Sequence, residues 1–145
     1  MSYNKKQQDT IFNSITTPLG DELTWRWEEK KSVLLTEFSW EKKERILTIL
    51  RGLFSEEWHK KNIKKSPASL QLELREFTKL SKAQLIFTKP ATAQLPAIAV
   101  IWWPWGHGGT YSMRIKILNS NYDEASLEMG RANLLSRIIH KLKSK

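Results

Sequence analysis

The stretch AIAVIWWPWGHGGTYSMRIKI, residues 97–117, decides the fold. From Ala97 to Trp103 both alternating sets are apolar, Ile98, Val100 and Trp102 on one and Ala99, Ile101 and Trp103 on the other. A strand with that pattern is covered on both faces or flanked by neighbours. Pro104 ends strand pairing, and Gly106, Gly108 and Gly109 suit the positive backbone angles of a tight hairpin. Beyond the turn, Tyr111, Met113, Ile115 and Ile117 alternate with Ser112, Arg114 and Lys116, as in a strand with one buried and one wet face. Upstream, Ala83 to Thr88 is apolar and β-branched and closes at Lys89-Pro90, which reads as another strand. Together the three predict an antiparallel meander with Ala97 to Trp103 in its middle.

Working outward, the flanking segments read as helices. Ile11, Phe12 and Ile15 form a short apolar stripe within Tyr3 to Thr17, a docking helix that ends before Pro18. Ser39 followed by Glu41 is a helix start, because the hydroxyl can accept from a first-turn amide and the carboxylate favours the positive end. Ile46, Leu47, Leu50, Leu53 and Phe54 then follow helical spacing. Ser55-Glu56-Glu57 repeats the start signal and predicts a short helix carrying Trp58. Ser66-Pro67 is another start, with Leu70, Leu74, Phe77 and Leu80 as the buried stripe. Asn121 and Glu124 cap a final helix whose stripe is Leu135, Ile138, Ile139 and Leu142 and which should lie on the sheet. Leu23 to Phe38 stays open: Leu23, Trp25 and Trp27 alternate as in a strand, yet Trp25 to Phe38 also has the composition of a helix. The class is therefore α+β, a three-stranded antiparallel β-meander packed with about four α-helices, in one domain over residues 1–145.

Composition narrows the functions. No apolar run approaches the roughly 18 to 20 residues of a membrane helix, and the start MSYNKKQQDTIFNS lacks a leader's apolar stretch. The absence of cysteine excludes disulfides, thiolate ligands and thiol nucleophiles, so a cytoplasmic location is expected. The formal charge of +9 invites acidic partners without choosing among nucleic acid, an acidic protein tail and anionic lipid. Lys60, Lys61, Lys64 and Lys65, with the terminal Lys141, Lys143 and Lys145, read first as solvated surface.

Catalytic and metal chemistry find little to work with. None of His59, His107 and His140 has a second ligand at the spacing of a zinc helix, so each reads as structural or solvated, and no metal or cofactor is expected. Gly106-His107-Gly108-Gly109 lacks the Lys-Ser or Lys-Thr of a phosphate-binding loop, and no glycine fingerprint for a dinucleotide is present. His107 still occupies a loop tip between tryptophans, where a partner can approach.

The sharpest signal is the set of seven tryptophans. Adjacent strand residues point to opposite faces, so Trp102 and Trp103 cannot share one core layer. Either helices cover both rings, or one ring is partly open. In the second case Trp103 or Trp105, with Trp25 or Trp27, lines an apolar groove rimmed by lysines that suits a short peptide with an apolar anchor and acidic flanks. Trp25, Trp27, Trp58, Trp103, Trp105, His107 and Arg114 are the candidate partner-binding residues. A nucleic-acid reading uses the same rings for base stacking, with Arg114 and Lys116 tracking phosphate. Against it stand the lack of a recognised nucleic-acid motif and the acids Glu22, Glu28, Glu29, Glu56 and Glu57 among the bases.

In size and element order, with the tip Trp102-Trp103-Pro104-Trp105-Gly106-His107-Gly108-Gly109 closing the meander, the chain resembles the CcmS family of cyanobacterial β-carboxysome assembly factors. The resemblance spans most of the chain and rests on no diagnostic motif. It implies a non-enzymatic adaptor whose helix-walled pocket, over a three-stranded sheet, receives the carboxy-terminal tail of a carboxysome shell protein. The expectation is thus an adaptor or assembly factor that binds another protein's peptide or tail.

Overall fold

A computed structural model of the chain describes residues 3–119. The final helix expected from Asn121 onward, with His140 and the terminal lysines, lies outside the described residues. Helix α1 (Lys5–Leu19) starts from a reciprocal cap: the Gln7 N–H donates to Asn4 Oδ1 at 2.8 Å and the Asn4 N–H to Gln7 Oε1 at 3.0 Å. It continues through Pro18, beyond the expected stop, because Leu19 completes the buried stripe of Ile11, Phe12 and Ile15. Gly20, at φ +92°, then turns the chain out of the helix.

The region left open in the sequence is a β-hairpin. Strands β1 (Arg26–Glu28) and β2 (Val33–Ser39) pair antiparallel across a turn at 29–32. After a 3-10 turn at Trp40–Lys42, in which Ser39 Oγ accepts from the Glu41 N–H, helix α2 (Lys43–Leu53) buries Ile46 and Leu50. The short helix expected at Trp58 is instead strand β3 (Glu56–Trp58), paired with β4 (Leu85–Lys89). Helix α3 (Ala68–Leu74) breaks at Arg75, whose φ is +48°, and a 3-10 turn at Arg75–Thr78 carries Phe77. Strands β5 (Ile98–Pro104) and β6 (Thr110–Ile117) complete the set.

These strands form one sheet of six, all neighbours antiparallel, in the order β1-β2-β6-β5-β4-β3. The expected three-stranded meander with about four helices is corrected: six strands and three α-helices are present among the described residues. The meander β4-β5-β6 is only the middle of the sheet, since β2 adds to β6 and β3 to β4. Strand β3 escapes sequence reading because three residues are too few to show a period, and β1 falls in the segment left open between strand and helix.

A core lies on each side of the sheet. On one face, which we term the first, Phe87, Val100, Trp102, Met113 and Ile115 pack under α1 and α2. On the second face Trp58, Ile86, Ala99 and Ile101 pack against Leu70 and Leu74 of α3. Burial on both sides explains the unbroken apolar run of β5.

Candidate functional site

Strand register assigns Trp27, Trp58, Trp102 and Trp103 a face. Trp102 pairs with Met113 on the first face, where it is 2% exposed and meets Phe38 and Tyr111 at ring-centre distances of 5.4 and 5.2 Å. Trp103 pairs with Ser112 on the second face, and Ser112 in turn faces Glu37 of β2. One step past β5, the Trp105 N–H donates to Thr110 O at 2.9 Å, continuing the ladder. Alternation therefore returns Trp105 to the face of Trp103, while Thr110 sits opposite Ser39.

The support beneath these rings is uneven. Strand β4 reaches only Trp102 of β5, and β1 reaches only Leu35 of β2. The upper ends of β2, β6 and β5 hence project as a three-stranded platform. The Phe38, Trp102 and Tyr111 rings stiffen it from the first face. Its second face presents Trp103, half-buried, and Trp105, 41% exposed, beside the small polar Ser39, Thr110 and Ser112.

At the tip, the Gly108 N–H closes the turn onto Trp105 O at 2.9 Å, and Gly108 takes φ +80°. His107 Nδ1 accepts the Gly109 N–H at 3.0 Å, and its ring lies edge-on to Trp105 at 5.8 Å. This ring therefore has a structural duty in the turn while its other edge faces solvent. Trp40 joins the same end: its N–H donates to Gly109 O at 3.1 Å and its ring is 52% exposed. Sequence reading passes over Trp40 as a site residue, because it falls in a helix-start signal and only the pairing of β2 with β6 brings it to the tip.

Further down the second face two ion pairs form. Arg114 Nε lies 3.5 Å from Glu28 Oε1, both partly buried, and Arg26 Nη2 lies 2.8 Å from Glu37 Oε1. The face is thus aromatic at its upper end and bordered by mutually neutralised pairs.

The remaining candidates lie elsewhere. Trp25 packs on the first core with its indole N–H buried and unpartnered among the described residues. Trp27 rests edge-on against Phe12 of α1 at 6.1 Å. Trp27 pairs with Leu34, which packs on the first core, so the sheet separates these two rings from Trp103 and Trp105. The groove expected to combine them is not formed. Trp58 is buried in the second core, with its Nε1–H donating to Thr88 Oγ1 at 2.8 Å. The structure brings together Trp103, Trp105 and His107, with Arg114 lower on the same face.

Two hollows accompany this surface. A cleft of about 990 Å³ opens between the first turns of α1 and the 91–97 segment, and no candidate residue lines it. A smaller one, of about 310 Å³, lies at the lower end of the second face. Among the described residues no group of three or more His, Asp or Glu side chains could hold a metal ion, and no helix is long and apolar enough to cross a membrane. Comparison with families of known proteins, with curated proteins and with solved structures finds no match to this chain.

Proposed function

We propose that this protein is a non-enzymatic adaptor that receives a short segment of another protein on the aromatic upper half of its second sheet face. The observation that carries the reading is the presentation of Trp103 and Trp105 side by side on one face of a projecting hairpin. Large rings with low side-chain entropy, set beside small polar residues, are what peptide-binding surfaces use as anchors. Rigid support matters as much as exposure, and the Phe38, Trp102 and Tyr111 rings behind the hairpin supply it. The partner segment in this reading has an apolar or aromatic anchor. The tail of a carboxysome shell protein, the partner class implied by the resemblance to CcmS, is one candidate for it.

The alternative is nucleic-acid binding, with bases stacked on the same rings. Of the two residues this reading assigns to phosphate, Arg114 faces a carboxylate, which leaves it less available, whereas Lys116 forms no ion pair among the described residues. The two readings part on salt, because phosphate contacts release counterions and affinity then falls steeply as salt rises.

The test is capture from extract by the immobilised full chain, at low and at moderately high salt, with and without nuclease. A protein partner retained under high salt and nuclease supports the adaptor; loss under both treatments supports nucleic acid. With the partner in hand, Trp103→Ala and Trp105→Ala should each weaken binding by about 2 kcal/mol, roughly thirtyfold. Unchanged binding by both variants, with melting curves that show intact folds, would place the site elsewhere.

A further inference from the structure

Two non-glycine residues among those described adopt positive φ, Ser32 at +53° and Arg75 at +48°. Such backbone costs energy and persists where the surrounding structure demands it. Both serve the same place. Ser32 closes the turn between β1 and β2 that holds Lys30 and Lys31, and Arg75 stands at the break after α3. These two segments and Lys116 of β6 wall the hollow of about 310 Å³ at the lower end of the second face.

Four cations thus converge from three separate parts of the chain. The two carboxylates at the same hollow are already engaged. Glu76 Oε1 lies 2.7 Å from Lys31 Nζ, and Glu73 Oε1 accepts the Asn119 N–H. Lys31 also sits 4.9 Å over the Phe77 ring, which fixes it in the wall. Lys30, Arg75 and Lys116 form no ion pair among the described residues, and Lys116 is half-buried. Four cations against two carboxylates leave the recess with an excess of positive charge among the described residues, and partial burial of Lys116 weakens the screening that water would supply.

We propose that this hollow is an oxyanion site that takes a phosphate group, free or as the monoester of a small molecule. A phosphate carries the charge density to satisfy ammonium groups that form no ion pair among the described residues. It also has the tetrahedral oxygens that a guanidinium fork such as that of Arg75 can grip in pairs. The volume is at the small end for ligand sites, which suits a phosphate with a body of a few carbon atoms. The aromatic upper face plays no part in this site, and the site stands whether or not the adaptor reading holds.

The experiment is calorimetric titration of the full chain with orthophosphate and, separately, with glycerol 2-phosphate, at constant ionic strength set with chloride. Saturable binding is expected, weakened about tenfold or more in Lys116→Gln and in Arg75→Gly. The surface double variant Lys60→Gln/Lys61→Gln should bind as the parent does. Arg75→Gly relieves a positive φ while removing the guanidinium, so its melting midpoint should rise by about 2 to 4 °C even as binding falls. Tighter binding of the ester identifies a phosphomonoester as the ligand, and tighter binding of orthophosphate identifies the free ion. Heats no larger than those of malonate at matched ionic strength would overturn the proposal, as would equal weakening in the Lys60/Lys61 variant.

Discussion

Trp102 and Trp103 differ by one position and by everything that surrounds them. A strand turns successive side chains to opposite sides, so Trp102 enters the core beneath α1 and α2 while Trp103 faces the platform. Removing Trp102 would leave a void among Phe38, Tyr111 and Met113, and Trp102→Ala should destabilise the fold by about 3 to 5 kcal/mol in urea unfolding. Trp105→Ala removes an exposed ring at a turn and should change stability by no more than about 0.5 kcal/mol. At this scale the sequence is informative about single residues and silent about their company. Alternation along Trp102, Trp103 and Trp105 is readable from spacing. The placement of Trp25 and Trp27 behind the sheet depends on β2 pairing with β6, a contact between residues about 80 positions apart, and local spacing does not encode it.

Among the elements, legibility follows length. Strands β4, β5 and β6 and helix α2 are readable because each repeats its period several times. Strand β3 has three residues, and Ser55-Glu56-Glu57 mimics a helix cap; pairing of Trp58 with Ile86 overrides that local preference. Helix α3 stops after seven residues although its apolar spacing continues, because the backbone leaves helical geometry at Arg75; Leu80 still enters the second core and Phe77 packs against it. Helix α1 rests on its cap as well as on its stripe. Asn4→Ala removes the side-chain acceptor for the Gln7 N–H and should cost about 1 kcal/mol, measured by chemical denaturation.

For the whole molecule, the sheet is the partition that separates two cores and decides which rings can act together. The lower end is stitched by charge. The Lys31 hydrogen bond holds the Glu76 carboxyl below its ordinary value of 4.5, with added help from a backbone hydrogen bond and from the lysine's charge. A folded value below the unfolded one means that this contribution is present above pH 4.5 and is lost as pH falls through the folded value. Glu76 is largely exposed, so the effect is small. The difference in melting midpoint between the parent and Glu76→Gln should be constant near neutrality and close as the solution is acidified well below pH 4.5.

The distribution of indoles has an optical consequence. Trp58 and Trp102 are enclosed in the two cores, whereas Trp40 and Trp105 at the tip, and Trp27 on the other side of the sheet, are exposed. Emission should therefore divide into a shielded blue component and an accessible red one. Acrylamide should quench the red component first, and a ligand seated on the platform should protect the share of it that Trp40 and Trp105 emit, leaving that of Trp27 accessible. The chain carries a built-in dye at the surface where its partner is proposed to land, so occupancy can be followed without a label.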